Sequence, residues 1–76
     1  MRHLLNMAKA ELTKSIEARR LNRRTMRVLS QDPITIPFGG LLDEVELDEY
    51  VMRFSYLGQP YEADLMRVKN AYKLLT

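Results

Sequence analysis

Cysteine and tryptophan are absent from this 76-residue chain, histidine occurs once, and glycine and proline occur three times each. Without cysteine there is no disulfide to support a small fold, no thiolate zinc site and no thiol nucleophile. The single histidine, His3, lies beside the amino terminus, so a histidine-dependent triad or a His-based metal centre has almost nothing to use. Gly39-Gly40 is followed by Leu41-Leu42-Asp43, without the spacing or lysine of a phosphate loop, and reads as a turn or hinge. No apolar run approaches the roughly 20 residues of a membrane span, and the amino-terminal stretch has no apolar signal core. Residues 1–20 are basic and amphipathic, but Glu11 and Glu17 speak against an organelle presequence. The expectation is one small domain over 1–76, soluble and cytoplasmic, with no cofactor, no metal and no membrane partner. A carboxylate-based hydrolase needs a cleft that so short a chain has little room for, so the expected role is not enzymatic.

What the chain does contain is charge, unevenly spread. Residues 1–28 hold eight Lys/Arg against two acids, residues 29–66 hold Arg53 alone against eight acids, and residues 67–76 add three bases, for a net charge of +2. Such asymmetry points to a local basic surface rather than a globally basic nucleic-acid binder. It also permits self-neutralisation, within the chain or across a homo-oligomer. A domain of this size buries only about 60–65% of its unfolded surface, so oligomerisation is the expected extra support.

The strongest signal is Arg19-Arg20-Leu21-Asn22-Arg23-Arg24-Thr25-Met26-Arg27, five arginines in nine residues with no carboxylate among them. As a helix, Arg19, Arg20, Arg23, Arg24 and Arg27 fall on one arc about 140° wide. Arginine is always charged and presents a planar fork of donors that suits phosphate or carboxylate. The apolar residues Leu4, Leu5, Ala8, Leu12 and Ile16 share an arc about 120° wide, which predicts an amphipathic helix over roughly 2–18. Its continuation would carry the arginines as a projecting helical arm over 19–29. Arg19 and Arg23 continue the line of Leu5, Leu12 and Ile16 and would bury their stems, with Arg20, Arg24 and Arg27 pointing outward.

Ser30-Gln31-Asp32-Pro33 ends that helix, and Pro33-Ile34-Thr35-Ile36-Pro37 must be extended, a short strand at a sheet edge. Residues 50–56 alternate, with Tyr50, Met52, Phe54 and Tyr56 on one face. Leu57-Gly58 turns the chain, and Tyr61, Ala63 and Leu65 alternate with acids, so a hairpin is expected. The same stretch also reads as two helices, with Gly58 as a C-cap and Pro60 opening the second. From about Val68 the chain is expected to be helical. The acidic run Asp43–Glu49 lacks EF-hand spacing and reads as a solvated face or a dock for arginines.

The predicted fold is therefore α+β: a long N-terminal amphipathic helix, a short extended segment, a C-terminal β-hairpin and final helical turns, with an all-α three-helix arrangement as the alternative. The predicted function is a non-enzymatic, regulatory binding protein that contacts nucleic acid, as in transcriptional control, through Arg19, Arg20, Arg23, Arg24 and Arg27 with Lys14. The rival is an adaptor or inhibitor acting on an acidic protein surface of a larger complex.

Overall fold

A computed structural model describes residues 8–75. The chain is built from antiparallel strands: β1 Ala8–Leu12, β2 Ile16–Arg20, β3 Ile34–Ile36, β4 Leu41–Leu47, β5 Val51–Tyr56, β6 Gln59–Asp64 and β7 Tyr72–Leu74, with one short helix, α1 Leu65–Val68. They form one sheet in the order β3-β2-β6-β5-β4-β1-β7. In a flat sheet, the four inter-strand steps from β1 to β2 would separate them by about 19 Å. The Thr13–Ser15 link spans at most about 14 Å between Leu12 and Ile16. The sheet must therefore curl, and it does so into a half-barrel.

β1 pairs with β4 and, beyond the Thr13–Ser15 link, β2 pairs with β3, while at the turn between β3 and β4 the Leu12 amide donates to the Gly40 carbonyl and the Gly39 amide to the Leu12 carbonyl, both at 2.9 Å. The concave face holds the core: Ala10, Leu12, Ile16, Ala18, Ile36, Leu42, Val45, Met52, Phe54, Tyr61, Ala63 and Val68. Phe54 stacks on Tyr61 with centroids 5.8 Å apart.

The amino-terminal helix and the all-α alternative are both overturned: residues 8–20 are two strands. Leu4 and Leu5, which the helix reading also used, lie outside the described residues, as does His3. The stripe Ala8, Leu12, Ile16 did not discriminate, because a spacing of four returns to one face in a helix and also in a strand. Ala10 decides it, since it is buried with the stripe and would lie on the far side of a helix. Ladder bonds from β1 to β4 and β7 outweigh the helix preference of Ala, Lys, Glu and Leu. The carboxy-terminal expectation is corrected too. Helix occupies only Leu65–Val68, and Tyr72–Leu74 pairs along the edge of β1.

The extended segment between Pro33 and Pro37 is β3, which pairs among the described residues with β2 alone, at the end of the sheet. The β5–β6 hairpin closes on Leu57-Gly58, with Tyr56 opposite Gln59. Both turn residues have positive φ, 52° and 81°, as a two-residue hairpin of this hand requires. Gly58 suits that conformation, and Leu57 does not. Replacing Leu57 by Asn should raise stability by about 1 kcal/mol, measured by denaturant unfolding, because Asn tolerates this conformation. No gain would mean that the leucine side chain packs in a way that offsets the strain.

Candidate basic interface

The arginine run is a hairpin end, not a helical arm. β2 continues to Leu21, which is fully buried and bridges Val28 across the hairpin. Between them Asn22 closes the turn: its Oδ1 accepts bonds from the Arg24 and Thr25 amides at 2.8 and 2.9 Å, and its backbone pairs with Met26 and Arg27 at 2.7 Å. An Asn side chain that mimics a turn peptide is a local signal for this loop, and it stands in the middle of the arginine cluster.

This tip is joined to the β5–β6 turn. Arg23 Nη2 donates to the Gly58 carbonyl at 2.6 Å, Gln59 Nε2 donates to the Leu21 carbonyl at 3.0 Å, and the Leu21 amide donates to the Pro60 carbonyl at 2.9 Å. The two hairpin ends thus form one surface. It carries the exposed Arg20, Arg23, Arg24 and Arg27 together with the exposed apolar side chains of Met26 and Leu57, the latter 87% exposed. None of these four arginines has an ion-pair partner among the described residues. An open depression of about 680 Å³ lies against Asn22, Arg23, Arg24 and Thr25.

Arg19 belongs elsewhere. It lies opposite Glu62 in the β2–β6 ladder, and Glu62 lies opposite Arg53 in the β5–β6 ladder. Arg19 Nη2 contacts Asp64 Oδ1 at 2.9 Å and Glu62 Oε2 at 3.3 Å, while Arg53 Nε is 3.5 Å from Glu62 Oε1. A row of alternating sign therefore crosses the convex face. The Arg19 guanidinium is held above its ordinary pKa, first by its hydrogen bond to Asp64, against an opposing effect of burial, with a further contribution from Glu62. A raised cation value means that this stabilisation is fully present at neutral pH and is lost only as the pH rises through the folded-state value.

Lys14 sits in the exposed bend that starts β2. The length of β2, about 17 Å, separates it from the hairpin tip, so it does not join the arginine surface. The structure thus brings together Arg20, Arg23, Arg24 and Arg27, and sets Arg19 and Lys14 apart. Among the described residues no acid of the 43–49 run pairs with an arginine; the acids that neutralise Arg19 are Glu62 and Asp64, on β6. Leu57 and Met26 were missed as surface residues. Their signal was a Leu before Gly in a hairpin turn, where Asn is usual, and a Met inside an arginine run.

No family model matches the chain, and neither the curated proteins nor the solved structures compared with it give a match. Among the described residues no helix is long and apolar enough to cross a membrane.

Proposed function

We propose that this is a non-enzymatic binding protein whose arginine hairpin tip contacts the phosphates of nucleic acid in a regulatory role. The observation that carries the reading is the concentration of four exposed arginines without an ion-pair partner among the described residues, at the end of β2 and on a hydrogen-bonded loop held against a second turn. A preformed loop loses little entropy on binding. Guanidinium forks favour phosphate oxygens, and such contacts position a protein on a backbone without reading sequence by themselves.

The test is salt. Each neutralised phosphate on duplex DNA steepens the fall of log affinity with log salt by about 0.9, so four contacts predict a slope near −3.6. Titrations against duplex DNA, single-stranded DNA and RNA at several salt concentrations measure it. Absence of binding to all three at about 0.05 M salt would reject the nucleic-acid reading. It would favour the second reading, a protein surface of acidic character, which the exposed Leu57 and Met26 support, since interface hot spots combine arginine with apolar anchors.

A further inference from the structure

The molecule has a second charged end. The turn between β4 and β5 carries Asp48 and Glu49, with Glu46 beside them on β4 and Tyr50 standing out 73% exposed. Glu46, Asp48 and Glu49 have no ion-pair partner among the described residues. The turn itself is fixed, because Asp48 Oδ1 accepts a bond from the Tyr50 amide at 2.9 Å and the Leu65 amide donates to the Tyr50 carbonyl at 2.9 Å. β5 starts at this turn and ends at Tyr56, just before Leu57, so its six residues place the two ends about 20 Å apart. They cannot meet within one copy.

They do match each other across two copies. One end presents guanidinium groups around the exposed Leu57 and Met26, and the other presents carboxylates around the exposed Tyr50 and Leu47. We infer that the arginine end of one copy docks on the acidic end of the next, head to tail. Charge complementarity sets the pairing, and the apolar pair at the centre supplies burial, with Arg and Tyr as the residue types that anchor interfaces. With molecular extents of 30 × 29 × 23 Å, either end can bury on the order of 600 Å² per partner, the size of a weak and reversible contact. Because the two patches differ, the contact is heterologous and generates rings or open chains rather than closed dimers. The assembly needs no nucleic acid and goes beyond the reading above. It also has a consequence for that reading: a neighbouring copy and a phosphate backbone compete for the same arginines.

Sedimentation velocity on the full chain tests this at about 0.01 M salt, where screening sets in near 30 Å, and at about 1 M, where it sets in near 3 Å. The wild-type mass should climb past the dimer with concentration at low salt and return to the monomer at high salt. Two double variants block one end each: Arg24→Glu with Arg27→Glu at the tip, and Asp48→Asn with Glu49→Lys at the acidic turn, where Asn keeps the acceptor for the Tyr50 amide. Circular dichroism establishes that each is folded, and the milder pair Arg24→Gln with Arg27→Gln serves if the reversal is not. Each variant alone should be monomeric. A 1:1 mixture should stop at a dimer, since one intact tip and one intact acidic end remain. A wild type that stays monomeric at low salt overturns the inference, as does self-association that survives in either variant, or a mixture that stays monomeric. Nucleic-acid binding is scored separately on the acidic-end variant, whose arginine tip is untouched, so the two readings fail independently.

Discussion

Changing Arg20, Arg24 and Arg27 together to alanine is expected to abolish nucleic-acid binding while leaving the thermal transition within a few degrees of its original position. Each side chain is exposed and lacks an ion-pair partner among the described residues, and isolated exposed charges contribute about 0–1 kcal/mol to stability. Loss of like-charge repulsion across the tip offsets part of even that. The loop is closed by Asn22 and held to the neighbouring turn by Arg23, both of which the variant keeps. In binding the effect is large. Three lost phosphate contacts reduce the salt slope by about 2.7, which at about 0.1 M salt corresponds to roughly a 500-fold loss of affinity. Fluorescence anisotropy with a labelled duplex, paired with a thermal melt, reads both quantities. A variant that melts far lower while its folded fraction binds normally would make these arginines structural and move the search for function to the rest of the surface.

Glu62→Gln should do the opposite, costing about 2 kcal/mol of stability, or about 8–16 °C in Tm for a domain of this size. Glu62 sits between Arg19 and Arg53 on adjacent strands with a side chain only 15% exposed. Removing its charge leaves two cations facing each other across β6, with Arg53 Nε, which is buried and makes no hydrogen bond, losing its nearest acid. The estimate lies between the 0–1 kcal/mol typical of exposed pairs and the 3–5 kcal/mol of fully buried ones, because the row is half-buried. Asp64→Asn is the comparison: Asp64 is more exposed, so its loss should cost less. Equal melting of Glu62→Gln and the parent would show that solvent already screens the row. Nucleic-acid binding by Glu62→Gln should be unchanged once it is folded, which separates this row from the hairpin tip.

Several local features were readable from residues alone, for local reasons. Paired prolines confine Ile34–Ile36 to an edge, Leu57-Gly58 marks a tight turn between alternating segments, and arginines packed without acids cannot all find partners nearby. Those statements rest on φ limits, side-chain alternation and charge count, which are properties of a few consecutive residues. Arg20, Arg24 and Arg27 are exposed, but on a hairpin and not at the helical angles from which their outward direction was expected. What the chain could not settle locally was how residues 8–20 and 65–75 fold. Alanine, lysine, glutamate and leucine favour helix, and a spacing of four fits both periods, so the preference was reversed only by partners far along the chain: Ala8 with Val45, Glu11 with Lys73, Arg19 with Glu62. Tertiary structure alone decided that Arg19 is a counter-ion within the chain, because pairing of β2 with β6 brings it Glu62 and Asp64 from 43 and 45 residues away. It also decided that the arginine tip stands beside the β5–β6 turn, at the far end of β5 from the acidic turn, since β2 pairs with β6, a strand far along the chain.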